Sequence, residues 1–511
     1  MKSAAGAGSA HPSIGNLPSA GGDKQQPGQQ RRLEIWIRSL RAVAAPDNGA
    51  EPRTVQDVHV AEQAGGAGCT VVVLAPHQGD GATLCRLSSA IGPDAACALP
   101  TVAVGAEPDI EEVVRGVSRL VGEPVTLLRA NAAAWDAGFA VTALVAEIGP
   151  LSAEPDGFCW ALLDESDIET IDPAWARSSM RSWTHERVAG WSDLRPQWSR
   201  PGWLAEAAQW MQEQMITAGY LDPEVPRIHH LWGVSVVLSA ASRTGSAFLK
   251  CSGDRFRHEG RMTQALADRS RGYLPDVLAV EPDRGWLLMR DLDAPLLGDQ
   301  PESMWELGLD ALAGLQQEWL GCTGDLLAAG AELRPLRQLA DWVNATAQDA
   351  DFMNRLAPEV RGAWLASVPS MVDACTSLDR IGPDTSLTHG DFHPWNVAAG
   401  QDGTRIFDWT DAAVAHPFLD LVTYIMRTDD LARRRYLLQR YLELWSRYLS
   451  PDDLHAAGQL ALVVGALYQA HTYSQLIPTV MPDDLAQLRD GDVQWLQRAL
   501  ERLDHGIQGA Y

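Results

Sequence analysis

The stretch Leu387-Thr-His-Gly-Asp-Phe-His-Pro-Trp-Asn396, followed by Ile406-Phe-Asp-Trp409, decides how the whole chain is read. His389 to Asn396 is too polar for a strand and is interrupted by Gly390 and Pro394, so it is expected to form a rigid loop. Arg405-Ile-Phe-Asp408 reads as a short strand ending in an acid. Laid side by side, these segments bring Asp391, Asn396 and Asp408 to one point. Phosphoryl transfer needs such a set: one carboxylate to orient a hydroxyl and take its proton, and an amide and a second carboxylate to hold Mg²⁺ against the phosphates. Any one of these residues alone more often caps a turn, and the ordered set is what carries the signal.

Working outward, the chain is too long for one ordinary core: at roughly 150 residues per domain, 511 residues suggest about three units. A net charge of −25 argues against a nucleic-acid or anionic-membrane surface and leans toward cationic acceptors. The seven cysteines are scattered with no C-x-x-C pair, and an odd number cannot all pair internally. They read as reduced thiols and hence a cytoplasmic protein. Residues Met1 to Arg32 are rich in Gly, Ser, Ala, Pro and Gln, with no apolar run fit for a signal peptide, and read as a disordered tail. The longest apolar stretch, Leu460 to Ala470, falls short of the ~20 residues of a membrane span.

From Leu33 to Asp167, β-rich runs at Thr70–Leu74, Val125–Leu128 and Val141–Val145 alternate with a helical pattern over Ile110–Val121, which predicts a small α/β domain. Residues 168–222 form a connector. Six tryptophans between Trp175 and Trp210 read as anchors between domains, leading into a helix with Leu204, Ala208, Met211, Met215 and Ala218 on one face. From Pro226 the period becomes that of strands: Arg227–Trp232, Val236–Ala241 and Ser246–Lys250, the last two joined at Arg243-Thr-Gly245. Lys250 ends an apolar strand, a point charge on a stem suited to the α and β phosphates of a nucleotide. The helix Glu259–Arg269 offers Glu259 as its partner, and the turn Trp232-Gly-Val-Ser235 offers Gly233 and Ser235 as a phosphate-covering loop. Gly285–Met289 reads as a further apolar strand, and the rest is helical.

The motif His389-x-Asp391-x-x-x-x-Asn396 with Asp408 on a following strand resembles the aminoglycoside phosphotransferase and choline kinase-like family. The resemblance covers about Trp203 to the C-terminus. It implies an α+β, two-lobed protein-kinase-like fold, with an antiparallel-sheet N-lobe (223–291) and a helical C-lobe (292–511), preceded by the small α/β domain (33–167). It implies ATP and Mg²⁺ as cofactors, Asp391 as catalytic base, Asn396 and Asp408 as metal ligands, and structural roles for His389 and Asp420. Lys250 and Glu259 would hold the nucleotide's phosphates, and backbone groups from Met289 to Asp291 would bind adenine. The acceptor, a hydroxyl of a small molecule of aminoglycoside, amino alcohol or sugar type, would meet the late helices near Tyr468, His471 and Tyr473. The H-R-D, D-F-G and A-P-E segments of protein kinases are absent. A protein that only binds nucleotide or metabolite is the alternative.

Within the small domain, Gly105, Glu111 and Arg119 fall at the G-x5-E-x7-R spacing of the Nudix box, and Val121 and Glu123 extend the match. Leu120 and Pro124 stand where that family places further metal-binding acids. The domain therefore resembles a Nudix-type fold without its hydrolytic chemistry.

Overall fold

Alternating apolar residues after Pro226 form a five-stranded antiparallel sheet of order β10-β11-β9-β8-β7. Its strands are β7 (Arg227–Leu231), β8 (Ser235–Ser242), β9 (Gly245–Ser252), β10 (Val277–Glu281) and β11 (Trp286–Arg290). The β8–β9 hairpin closes on Arg243-Thr244, with Ser242 paired to Gly245. Helix α5, Glu259–Arg269, packs on this sheet through Met262 and Leu266. Its bounds are those expected from the sequence. The computed structural model describes residues 69–74, 83–86, 99–104, 110–122, 124–136, 139–148, 158–161, 163–171, 176–482, 488 and 490–508, all within the unit Arg53–Tyr511. The expected tail Met1 to Arg32, Trp175, and Gly105 and Glu123 of the Nudix-like pattern lie outside the described residues.

In the N-terminal α/β part, β3 (Thr101–Val104), β1 (Cys69–Leu74), β5 (Phe139–Ile148) and β4 (Val125–Asp136) lie in that order, with only β1 and β5 parallel. A second pair joins β2 (Thr83–Arg86) to β6 (Phe158–Ala161). Helix α1, Ile110–Val121, buries Ile110, Val113, Val117 and Val121 and lies against β7, covering an edge strand that would otherwise expose unpaired backbone groups. After α2 (Glu165–Thr170), helix α3 (Arg177–Ala189) holds Glu186 between Arg129 and Arg195, each at 2.8 Å. The Arg129 guanidinium lies 5.0 Å from the Trp183 ring. In α4 (Trp203–Thr217) Met211 and Met215 of the expected face are buried, but in the first turns the buried residues are Trp203 and Ala207 in place of Leu204 and Ala208, and Ala218 is exposed. The indoles of Trp203 and Trp210 both meet Trp286 edge-on, at 6.0 and 5.4 Å, and this turns the helix.

The C-lobe is helical: α6 (Glu306–Glu318), α7 (Thr323–Ala329), α8 (Leu336–Thr346), α9 (Ala350–Arg355), α10 (Pro358–Ile381), α11 (Leu421–Ile425), α12 (Leu431–Leu444), α13 (Pro451–Leu476) and α14 (Gly491–His505). Leu460 to Ala470, the longest apolar stretch, is the middle of α13 and is surrounded by other helices. No helix among the described residues is long and apolar enough to cross a membrane. Short strands set into these helices carry the loop of interest: β12 (Glu332–Leu333), β13 (Ser386–Thr388), β14 (Val397–Gly400), β15 (Gly403–Ile406) and β16 (Ala413–Ala415).

Candidate active site

The loop from His389 to Asn396 is fixed at both ends by strand pairing. It leaves β13 where Thr388 pairs with Ala413, and it enters β14 where Val397 pairs with Ile406. The β14–β15 hairpin thus returns the chain to the loop, and the Phe407 N–H donates to the Asn396 carbonyl at 3.1 Å. The strand stops at Ile406 rather than at the expected Asp408. Asp408 lies beyond it with φ of +68°, a left-handed conformation that an L-residue adopts only when its surroundings hold it there. Its holders are Lys250 Nζ at 2.6 Å and the Thr410 hydroxyl at 2.8 Å, both on Oδ1.

His389 and Asp420 give the loop its shape. Burial pushes the His389 imidazole down to about 4, so the ring is neutral. Its Nε2 donates to the Phe407 carbonyl at 2.9 Å, and Nδ1 accepts from the Asp391 N–H at 3.4 Å. Asp420, itself buried, accepts the N–H groups of His389 and Gly390, each at 2.9 Å, and the Gln316 amide at 3.1 Å. Gln469 donates to the Gly390 carbonyl from α13. Gly390 has φ of +88°, and a Cβ there would stand 2.3 Å from the Asp411 carbonyl oxygen. The loop admits no side chain at that point.

Asp391 keeps 47% of its side chain open, with His393 Nε2 3.7 Å from Oδ2. Desolvation raises its pKa against the pull of Arg427 and His389, the direction that strengthens a base. The Asn396 amide donates to the Asp391 carbonyl at 3.0 Å, which fixes the side chain and leaves its oxygen free to ligate. Lys250 Nζ also reaches Glu259 Oε1 at 2.8 Å, and Glu259 Oε2 accepts from the Ser252 hydroxyl at 2.6 Å. Desolvation works against the charge on Lys250, but Asp408 and Glu259 outweigh it and hold the ammonium firmly protonated. Asp408 is desolvated too, and Lys250 holds its carboxyl far below the usual range. Lys250, Glu259, Asp391, Asn396 and Asp408 thus meet in one region, from four separate pieces of chain.

The remaining expected residues are placed less directly. Gly233 lies in the β7–β8 turn, closed by the Trp232 N–H on the Ser235 carbonyl at 2.9 Å. Ser235 pairs with Ser252 and is only 6% exposed, so its hydroxyl is buried rather than presented at the turn's surface. Met289 is half-buried in β11. The N–H groups of Arg290 and Asp291 are taken up by the carbonyls of Asp276 and Ser246, at 2.9 and 3.1 Å, leaving carbonyl groups as what this segment offers a base. Of the late-helix residues, the Tyr468 hydroxyl meets Arg334 at 3.2 Å and the His471 ring lies 5.2 Å from Trp342. Asp411, Arg334 and Arg427 were not singled out from the sequence, because only the fold brings them beside the loop.

The donor set fits a hard cation. Asp408 and the Asn396 side-chain carbonyl offer oxygen donors, and no group of three or more His, Cys, Asp or Glu that could cage a metal occurs among the described residues. Mg²⁺ is usually held this way, by one or two carboxylates together with substrate phosphates.

Residues 249–451 match the model of the phosphotransferase enzyme family, a span that begins just before Lys250 and takes in every residue of the site from Glu259 to Asp420. No curated protein matches the chain significantly. Among solved structures it is similar to a macrolide 2'-phosphotransferase from Brachybacterium faecium, at 19% identity over 59% of this chain and 98% of that one, TM-score 0.39. It is also similar to a choline/ethanolamine kinase family protein from Mesorhizobium loti, at 16% identity over 60% of this chain and 99% of that one, TM-score 0.42. The GDP complex of an aminoglycoside 2'-phosphotransferase is 14% identical over 57% of this chain and 98% of that one, TM-score 0.42. The matched segment, about two fifths of the chain, carries Lys250, Glu259, Asp391, Asn396 and Asp408.

Proposed function

We propose that the chain moves the γ-phosphoryl group of ATP, bound with Mg²⁺, to a hydroxyl of a small molecule. The supporting observation is the shared ammonium of Lys250, held between Glu259 and Asp408 beside the Asp391 loop. In this reading Asp391 accepts the proton of the acceptor hydroxyl as its oxygen bonds to the γ-phosphorus. The bond from that phosphorus to the β,γ-bridging oxygen breaks, and ADP leaves with the electron pair. Lys250 neutralises oxygens of the α and β phosphates, and Glu259 keeps Lys250 aimed. Asn396 and Asp408 would hold Mg²⁺, which supplies charge neutralisation on the phosphates. The turn at Gly233 and Ser235 would cover the phosphates, and the segment from Met289 to Asp291 would line the adenine site.

We divide the described chain into the α/β domain to residue 167, the Trp-rich connector to 222, the N-lobe to 291 and the C-lobe beyond. The α/β domain has no hydrolytic role in this reading, since Leu120 and Pro124 occupy acid positions of the Nudix-like pattern. Its α1 braces the N-lobe edge instead. The odd number of cysteines supports a reducing, cytoplasmic setting. The test is ADP release from Mg²⁺·ATP across aminoglycosides, amino alcohols, sugars and nucleosides, with Asp391→Ala in parallel. Acceptor-dependent release that disappears in the variant is expected.

A further inference from the structure

One face of the N-lobe sheet carries two histidines that the site described above does not use. His230 pairs with Val237 across β7 and β8, and Val237 pairs with Lys250 across β8 and β9. Residues directly opposite in antiparallel strands share a face, so His230 and Lys250 lie in one row on the same side of the sheet. The neighbouring row, Leu238, Leu249 and Leu288, takes the other side and is fully buried. On the Lys250 side, Val237, Phe248 and Met289 are only half-buried, as the lining of a cleft should be.

A break in register sets this up. Ile228 pairs with Leu238 and His230 with Val237, so His229 is an extra residue in β7. Regular alternation would send consecutive residues to opposite faces. The bulge instead brings both histidines to the cleft side. The His229 ring meets the Phe248 ring edge-on at 5.3 Å, and Phe248 stands two residues from Lys250 on the same face. Bulges recur beside active sites because they re-aim a side chain in this way.

His230 is the one placed near the phosphates of the proposed donor. Only Leu231 separates it from the turn Trp232–Ser235. At about 4.8 Å between neighbouring strands, its backbone lies about 10 Å from that of Lys250. Burial pushes its imidazole down to about 4, and Asp408 and Lys250 are among the charges that act on it. Burial lowers the His229 ring as well, but the charges acting there are Arg227 and Asp291, toward the segment that follows Met289. A neutral imidazole donates one N–H and brings no charge to compete with Lys250 for Glu259 and Asp408.

We propose that His230 is a donor-binding residue: its ring N–H donates to a phosphate oxygen of the nucleotide beside Lys250 and steadies the phosphate chain under the Gly233 turn. The proposal rests on the phosphotransferase reading and deepens it by a second N-lobe contact. An apolar residue at this position would line the cleft equally well and leave those oxygens to Lys250.

The experiment measures, by calorimetry on the full chain, the binding of a non-hydrolysable ATP analogue with Mg²⁺, of Mg²⁺·ADP and of adenosine. The parent is compared with His230→Leu and His230→Phe, which have no side-chain N–H, and with His230→Gln, which has one. Thermal unfolding shows that each variant is folded, and either apolar variant suffices if the other is not. Loss of one hydrogen bond to a charged oxygen should weaken the ATP analogue and ADP about tenfold in the Leu and Phe variants. His230→Gln should stay within about threefold of the parent, and adenosine should bind all four proteins alike. Unchanged nucleotide affinity in the Leu and Phe variants, or a Gln variant as weak as they are, would overturn the proposal. Adenosine weakened as much as ATP would also overturn it, since His230 would then act only as a wall of the cleft. A parent that binds neither nucleotide would overturn the proposal and the phosphotransferase reading together. The expected pattern in a chain that turns over no acceptor would sustain the proposal and remove the transfer reaction alone.

Discussion

Lys250 Nζ stands 2.6 Å from Asp408 Oδ1 and 2.8 Å from Glu259 Oε1, so a single ammonium links an N-lobe helix to the acid that follows the catalytic hairpin. The three groups belong to two lobes and lie up to 158 residues apart in sequence. Their meeting is a product of the fold. In the proposed reading a Mg²⁺·nucleotide would compete for this same set, its phosphates for the ammonium and its metal for the Asp408 carboxylate.

Replacing Lys250 by Met strips the charge partner from Glu259, which is only 2% exposed. Removing one member of a buried pair commonly costs about 3–5 kcal/mol. Chemical denaturation of Lys250→Met should show a loss of that order together with loss of nucleotide binding. Glu259→Gln should keep most of the stability and weaken nucleotide binding less. A Lys250→Met variant as stable as the parent, with unchanged nucleotide affinity, would remove Lys250 from the donor site.

Asp420→Ala orphans two backbone N–H groups of the catalytic loop. Each unsatisfied buried donor costs about 1–3 kcal/mol, so Tm should drop markedly and turnover should fall as Asp391 loses its place. Gly390→Ala should be at least as damaging, since it combines a left-handed φ with a contact against the Asp411 backbone. Thermal unfolding of both variants tests this.

Burial pushes both Asp411 and Asp420 up to about 7, from a usual value of 3.8. Between those values the unfolded chain has released a proton that the folded chain still holds, so a rise in pH favours unfolding. The stability these groups contribute is complete below about pH 4 and declines as pH rises toward 7. Asp411→Asn should therefore flatten the fall of Tm across that window. A profile identical to that of the parent would show that Asp411 ionises normally.

His389, pushed down to about 4, should remain neutral through the working pH range, with its proton on Nε2 facing Phe407. Nitrogen-15 NMR of labelled histidine, with the His389 signals assigned by their absence from His389→Gln, should show that this ring, like the other strongly buried ones, does not titrate between about pH 5.5 and 8. A His389 signal titrating near 6.5 would contradict the buried, hydrogen-bonded geometry.

How much of this was legible in the sequence follows from the range of each contact. Asp391, Asn396 and Asp408 sit within one loop and one hairpin, so their spacing was enough to read them. Helix α5 was legible because its apolar period is local. Strand β10 was not expected, because all five of its residues are only partly buried and it carries no clean alternation. The face of α4 was read correctly at Met211 and Met215 but one position off in its first turns, where Trp203 meets Trp286, which lies far along the chain. Asp411, Arg334 and Arg255 have no local signature at all.

The most direct test of the central claim is ADP release from Mg²⁺·ATP with the acceptor found in the panel, comparing the parent, Asp391→Ala and Asp408→Ala, alongside equilibrium binding of Mg²⁺·ATP. The account predicts that Asp391→Ala loses turnover by about a hundredfold or more while binding Mg²⁺·ATP normally, and that Asp408→Ala loses Mg²⁺·ATP binding itself. Parent-level turnover in Asp391→Ala would contradict it.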